Sequence, residues 1–131
     1  MASSKTIQGQ DLGKAIVDEL YKYNTEVQKE IRERVDLASK NIKRGIQQGA
    51  RAKLKKKSGR YARGWRIKQQ NQGSSVSRII HQGAVPGLPH LLEHGHAKRG
   101  GGRVRAIPHI APVVERELED MENDIVHIIG G

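Results

Sequence analysis

The stretch that decides the fold is residues 11–46, which read DLGKAIVDELYKYNTEVQKEIRERVDLASKNIKRGI. Apolar residues recur there in steps of three or four, the spacing of one face of an α-helix. They are Leu12, Ile16, Leu20, Tyr23, Val27, Ile31, Val35, Ala38, Ile42 and Ile46. Charged residues between them suit an exposed face. The pattern predicts one long helix, or two abutting helices, over residues 10–52, whose last turns Gly45 and Gly49 weaken.

A β-hairpin is predicted over residues 60–82. Residues 61–69 and 76–81 are two runs with β-favouring side chains, and the polar segment 70–75 between them has the composition of a turn. Ser58–Gly59 marks the connection from the long helix. We expect Trp65 to anchor the entry of the first strand in the core.

The C-terminal third predicts a short helix, a loop and a final helix. Prolines and glycine at 86–89 interrupt the chain, a short helical piece fits residues 90–94, and Gly95 suits its end in a left-handed conformation. Residues 96–104 contain three successive glycines and predict a flexible basic loop, which leads toward a brief strand at 104–107. Helical spacing returns over residues 110–128, and Pro112 suits a first turn.

These elements predict a single domain over residues 1–131 that combines a long N-terminal helix and a C-terminal helix with a small antiparallel β-hairpin. Residues 1–9 are expected to form a flexible N-terminus. Apolar residues make up 35% of the chain, with no Phe and one Trp, so the core must be thin. Burial against partner subunits would compensate for such a core. Cysteine is absent, which excludes disulfides and thiolate chemistry, and no apolar run is long enough to cross a membrane.

The net charge of +10 is strongly segregated along the chain. Residues 37–106 hold seventeen basic residues and one acid, Glu93, whereas residues 107–131 hold six acids and one basic residue. The basic run predicts contact with DNA phosphates or acidic partners, and its main candidates are Lys53, Lys55, Lys56, Lys57, Lys98, Arg99, Arg103 and Arg105. The acidic tail predicts subunit contacts through Glu115, Glu117 and Glu119. Opposed charge blocks on one chain favour head-to-tail self-association.

The segment His90-Leu-Leu-Glu-His94 fits the H-x-x-E-H pattern of inverted zincins, which places two imidazoles one helical turn apart. A catalytic zinc needs a third ligand, for which His96 or His109 is available, and a cleft that holds substrate. Incidental histidines near a structural turn are the favoured interpretation. We therefore predict no metal, no cofactor and no enzymatic activity.

Two further segments carry a family resemblance. Leu92-Glu93-His94-Gly95 forms a turn, and Pro108-His109-Ile110-Ala111-Pro112 opens the last helix. With the long first helix and the hairpin entered at Trp65, this order of features resembles the tail-completion, or head-tail joining, proteins of long-tailed bacteriophages, also catalogued as neck or minor capsid proteins. The chain departs from the common family pattern at His96, where Thr is frequent, and at His109, where Phe is frequent.

The resemblance implies an α+β fold, in which the long N-terminal helix and the C-terminal helix pack on a small antiparallel sheet. It also implies a structural virion protein that is assembled in the cytoplasm of the host bacterium. Subunits of such proteins form a ring, six-fold in the implied arrangement, that completes the tail end and meets the head-closure connector and the tail tube or tail terminator. Double-stranded DNA passes through the channel, and its nonspecific contact with the basic run is one expectation. Two other hypotheses stay open: a small basic DNA-binding protein acting alone, and a metal-dependent hydrolase built on His90, Glu93 and His94.

Overall fold

The computed structural model describes residues 9–54, 58–72 and 75–130. Four helices and two small antiparallel sheets make up this part of the chain, so the α+β class is confirmed. The helices are α1 Gly9–Leu54, α2 Ser58–Arg63, α3 Leu88–His94 and α4 Ala111–Gly130. The strands are β1 Trp65–Gln72, β2 Ser75–Gln82, β3 His96–Ala97 and β4 Arg103–Val104.

Helix α1 is one continuous helix of 46 residues, slightly longer than the 10–52 predicted from the apolar spacing. Its buried positions Ala38, Ile42, Ile46 and Ala50 follow each other at four-residue intervals, so one face enters the core along the C-terminal half. Gly45 and Gly49 lie within the helix and do not end it. The flexible terminus predicted for residues 1–9 lies outside the described residues up to position 8, and Gly9 is already helical.

The hairpin begins later than predicted, because residues 58–63 form the short helix α2 instead of the start of a strand. Tyr61 and Ala62 are fully buried, which explains the helix: one turn directs both side chains into the core. Strands β1 and β2 then pair in register from Trp65 opposite Gln82 to Gln72 opposite Ser75. Trp65 is only 4% exposed and lies edge-on to the Tyr61 ring, so its predicted core position is confirmed.

Helix α4 packs antiparallel on α1, and its observed span of 111–130 agrees with the predicted 110–128. Two polar contacts trace the pairing: Asn41 donates to Glu117 at 3.3 Å, and Arg34 forms an ion pair with Asp124 at 2.6 Å. Nearer the core, a Cβ atom placed on Gly45 would lie 2.6 Å from Cγ1 of Val113. The glycine therefore permits a close approach of the two helices, which a methyl group would obstruct.

A second ion pair fixes the hairpin on a different side of α1. Arg78 of β2 donates to Asp36 at 2.5 Å, and this bond, with the charge of Arg78, holds the pKa of Asp36 below its ordinary value. Asp36 precedes Asn41 by five residues, which places it about 140° around the helix at 3.6 residues per turn. The hairpin and α4 thus contact α1 at different positions around its axis, and both reach the same core, through Trp65 and Val113 respectively.

The core that the described residues form is small. Its buried members are Ile42, Ile46, Ala50, Tyr61, Ala62, Trp65 and Val113. Within the described ranges, none of the helices combines the length and apolar character that a membrane-spanning segment requires.

Candidate functional site

Glu93 joins the two segments that carry the family resemblance. It lies in the last turn of α3, and its carboxylate accepts hydrogen bonds from the backbone N–H groups of His109 at 3.0 Å, Ile110 at 3.1 Å and Ala111 at 2.8 Å. Those groups belong to the start of α4, where helix N–H groups lack partners within the helix. The Leu92–Gly95 turn therefore supplies the N-terminal cap of the helix that Pro108–Pro112 begins.

Two opposing effects set the pKa of Glu93. Burial alone would raise it, whereas the backbone hydrogen bonds from Ala111, His109 and Ile110 lower it, and the net pKa lies below the ordinary 4.5. A carboxylate that accepts several backbone N–H bonds at a helix N-terminus is stabilised in its charged form. Glu93 is thus an ionised cap at neutral pH.

His109 is buried directly beneath this cap. Its Nδ1 donates to the backbone oxygen of Ile107 at 2.9 Å, because a carbonyl oxygen can only accept, and its Nε2 lies 2.7 Å from the hydroxyl of Tyr61. In the neutral ring Nε2 is then the acceptor and Tyr61 the donor. Burial, with the nearby charge of Glu93, raises the pKa of Tyr61 to about 12, so its hydroxyl keeps the hydrogen for this bond. The contact ties α2 to the beginning of α4.

Gly95 provides the turn that follows the cap. Its φ of 72° confirms a positive backbone angle there, although its ψ of 177° is extended and not left-handed helical. A Cβ atom on Gly95 would lie 2.5 Å from the backbone oxygen of Val104. The positive φ and this short distance each exclude a side chain at position 95. The N–H of Ile107 donates to Leu92 at 2.7 Å and holds the two flanks of the loop together.

The basic loop predicted at 96–104 has more regular structure than expected. Strands β3 and β4 pair His96 with Val104 and Ala97 with Arg103, and within the loop the Lys98 N–H donates to Gly102 at 3.0 Å. The brief strand predicted at 104–107 is accordingly placed at 103–104. Lys98, Arg99, Arg103 and Arg105 are all exposed on this small hairpin, and Arg103 also donates to the backbone oxygen of His94.

The other predicted basic contacts are not part of the same surface element. Lys53 is exposed in the last turn of α1, but its ammonium donates to the backbone oxygen of Pro108 and so supports the start of α4. Lys55, Lys56 and Lys57 lie outside the described residues. The clearest described basic surface is therefore the 96–105 hairpin.

The three acidic residues predicted for subunit contact differ in their surroundings. Glu115 and Glu119 are exposed on α4, whereas Glu117 is half-buried against α1 and accepts the hydrogen bond from Asn41. Glu117 therefore has an intramolecular role in addition to any contact between copies.

The histidines of the H-x-x-E-H segment are exposed on α3, with the rings of His90 and His94 4.9 Å apart. Glu93, however, is directed at the start of α4. Across the described residues, the side chains of His, Asp and Glu form no cluster of three or more that would hold a metal ion.

Comparisons with known proteins add no relative. No family model, no curated protein and no solved structure matches this chain. Inference about function therefore depends on the residues and contacts described above.

The sequence patterns did not indicate the polar interior of this site. Gln82 is 5% exposed, donates to the backbone oxygen of Tyr61 at 2.7 Å and accepts from the N–H of Ala84 at 3.0 Å. His109 and Tyr61 form a second buried polar pair. One signal was present: Glu93 is the single acid among seventeen basic residues in 37–106, and an isolated charge of this kind is a reasonable candidate for a structural role.

Proposed function

We propose that this chain is a structural subunit of the head-to-tail junction of a tailed bacteriophage. In this role it forms a ring that completes the tail end and joins it to the head-closure connector, with DNA passing through the channel. The ring is six-fold in the arrangement implied by the resemblance. The protein acts by assembly and not by catalysis.

The observation that carries this proposal is the Glu93 cap. The resemblance rests on two short segments that are each unspecific alone, Leu92–Gly95 and Pro108–Pro112. In the fold they form one structural unit, because Glu93 accepts the first backbone N–H groups of α4. Gly95 is required by its positive φ and by the close approach of Val104. The residues of the two segments thus contact each other directly in the fold, which supports the resemblance against a chance match of short sequence motifs.

The general architecture also supports an assembly role. Among the residues whose burial the structure describes, the core has seven buried members, and large apolar side chains such as Leu118, Val126 and Ile129 are exposed. Exposed apolar groups of this kind favour burial against other subunits. The charge separation between the basic middle and the acidic α4 suits contacts in which one copy presents a different surface from the next.

A second candidate function is nonspecific DNA binding by the protein alone. The 96–105 hairpin favours it, because Lys98, Arg99, Arg103 and Arg105 are exposed on a glycine-rich loop that can approach a phosphate backbone. The same loop would line a channel in the ring proposal. Salt-titrated DNA binding separates the two: an autonomous binder has submicromolar affinity that falls steeply with salt, and a ring component does not need it.

The hydrolase hypothesis has less support. A zincin-like mechanism would use Glu93 as the general base between two liganded histidines. The carboxylate of Glu93 instead accepts three backbone hydrogen bonds. Stoichiometric zinc in the purified protein would revive this hypothesis.

The direct test of the proposed function is to locate the protein in phage particles. An antibody against the chain, used in immunogold electron microscopy of purified particles, should label the neck between head and tail. Mass spectrometry of the same particles should find the chain at a small fixed copy number. Deletion of its gene should yield separate heads and tails, and their joining in extract after addition of purified protein would complete the test.

Particles that assemble normally without the chain, or that lack it altogether, would refute the proposal. The Glu93→Gln variant is the control for lost fold stability in the joining assay, since it removes the ionised cap and keeps the side-chain size. Loss of joining by an unfolded variant must not be taken as evidence about the contact surface. Circular dichroism of each variant therefore accompanies the joining assay.

A further inference from the structure

Helix α4 has an exposed apolar stripe on the side that does not contact α1. Leu118, Val126 and Ile129 are 45%, 64% and 55% exposed, respectively. They follow each other at helical spacing, which places them within one stripe of the helix surface. Glu122 lies midway between Leu118 and Val126, and Glu115 lies one turn before Leu118. The stripe is therefore both apolar and acidic.

The outward face of the β1–β2 hairpin has the complementary character. Arg66 pairs across the strands with His81, and Lys68 pairs with Ile79, and all four side chains are exposed. Ile79 is 40% exposed. The residues that alternate with them along each strand point to the inward face, where Trp65 and Gln82 are buried. The outward face is therefore basic with an apolar side chain at its centre.

These two surfaces do not cover each other within one chain, because the side chains of both are exposed. Asn41 and Gly45 of α1 face α4, whereas Asp36 holds Arg78 of the hairpin from a position about 140° around the same helix. The hairpin packs its inward face on α1, so its outward face is directed away from the core that it shares with α4. Contact between the stripe and the hairpin face thus requires two molecules.

We infer that the α4 stripe of one copy docks on the outward hairpin face of the next copy. The apolar side chains Leu118 and Val126 pack around Ile79, and Glu122 and Glu115 lie near Lys68 and Arg66. Each copy has one stripe and one hairpin face, so the contact is heterologous and can close into a ring. The inference rests on the proposed function for its biological setting and identifies the partner as a second copy of this chain.

Charge complementarity favours this occupant over the alternative pairing of two α4 helices. Two stripes facing each other would place Glu115 and Glu122 of both copies together, and like charges in contact are unfavourable. Two hairpin faces would likewise oppose Arg66 and Lys68. The heterologous contact is the arrangement that pairs opposite charges and buries apolar side chains from both partners.

Disulfide trapping tests the contact directly, because the chain contains no cysteine. Two single variants, Ile79→Cys and Val126→Cys, are purified separately, one with a mass tag, and mixed before mild oxidation. A link inside one chain is then impossible. We expect the mixed dimer to form at least five-fold faster than either homodimer. Val126→Cys mixed with Gln48→Cys, an exposed position on α1, provides the matched control pair.

Each outcome decides the inference. Preferential mixed dimers support it, whereas dominant Val126–Val126 links indicate α4 pairing and overturn it. A chain that remains monomeric by light scattering at about 100 µM and gives no link also overturns it. Trapping and localisation in particles together separate the two proposals. A neck-located chain that forms no mixed link refutes this contact alone, whereas a purified chain that forms the mixed link but is absent from particles refutes only the virion function.

Charge reversal provides an independent measurement. Glu122→Lys should weaken self-association at least ten-fold, and its combination with Lys68→Glu in the same chain should restore most of the loss. Asp120→Lys is the matched control, since Asp120 is an exposed acid of the same helix outside the stripe. Equal effects of Glu122→Lys and Asp120→Lys, or no restoration by the second reversal, would contradict the contact.

Discussion

Replacement of Glu93 by Ala should destabilise the protein more than replacement of any exposed acid. The substitution removes the acceptor for three backbone N–H groups at the start of α4, of which that of His109 belongs to a buried residue. Loss of a helix cap costs about 0.5–2 kcal/mol. Leaving a buried N–H without a partner costs about 1–3 kcal/mol. The N–H of exposed Ala111 can bond to water, so we expect a total loss of about 2–4 kcal/mol in the free energy of unfolding.

Urea denaturation followed by circular dichroism at pH 7 measures this loss. Glu115→Ala is the control, because Glu115 is an exposed acid on α4, the helix that Glu93 caps. Surface substitutions of this kind change the free energy of unfolding by no more than about 0.5 kcal/mol. Glu93→Gln should fall between the two, since an amide retains one acceptor oxygen but loses the charge at the helix N-terminus. A Glu93→Ala variant within about 0.5 kcal/mol of the natural protein would refute the assigned role of the cap.

The pH dependence provides a second check on the same residue. The folded-state pKa of Glu93 lies below its ordinary 4.5. Its stabilising contribution is therefore fully present above about pH 5 and decreases as the pH falls through 4.5 toward the folded-state value. The stability difference between the natural protein and Glu93→Gln should shrink over that range. A difference that stays constant between pH 7 and pH 3 would exclude an ionised cap.

Three other substitutions test the interior. Gly45→Ala should lower stability by up to about 2 kcal/mol, because overpacking against Val113 costs about 1–3 kcal/mol and the gain in helix propensity offsets about 1 kcal/mol of it. Thermal unfolding measures this loss, and a more stable variant would contradict it. Tyr61→Phe should cost about 1–3 kcal/mol, because it leaves Nε2 of His109 without a donor. The natural protein should lose stability between pH 10 and about 12, where Tyr61 ionises in the unfolded chain first, and the variant should lose less. Alkaline unfolding that is the same in both proteins would be evidence against this role. Gln82→Ala should cost about 2–3 kcal/mol in chemical denaturation, since two backbone partners lose their bonds, and a neutral result would exclude that role.

The long helices were predictable because their signal is local and repeated. Apolar residues spaced by three or four define α1 and α4, and the observed ends differ from the predicted ones by one or two residues. Trp65 and the β1–β2 pairing were also recognised from composition. Such elements are specified by side chains within a few residues of each other.

Features that depend on distant partners were not predictable in the same way. Residues 58–63 have no helical repeat of their own, and they form α2 because Tyr61 and Ala62 find a buried environment against α1. Gly45 was interpreted as a weak point of the helix, yet it allows the approach of Val113 from another part of the chain. Local propensity gives no information about a contact across 68 positions.

The candidate site was predicted only in outline. The pairing of the Leu92–Gly95 and Pro108–Pro112 segments was recognised as a pattern, but the reason for it, the bond from Glu93 to residues 16–18 positions later, required the fold. Glu117 was predicted to contact another subunit, and its contact with Asn41 within the chain could not be seen from the charge pattern. The charge pattern identifies an acidic surface on the chain, but it does not show which residues of that surface form contacts within the molecule.

The tight crossing at Gly45 has a mechanical consequence. Because there is no space for a methyl group between α1 and α4 at this point, the crossing is the natural pivot for any tilt of one helix relative to the other. From Gly45 to Gly9, α1 extends about 54 Å at 1.5 Å per residue. A tilt of about 10° at the crossing would therefore swing the far end by roughly 9 Å, so that a small rearrangement around α4 becomes a large displacement at the other end of the molecule.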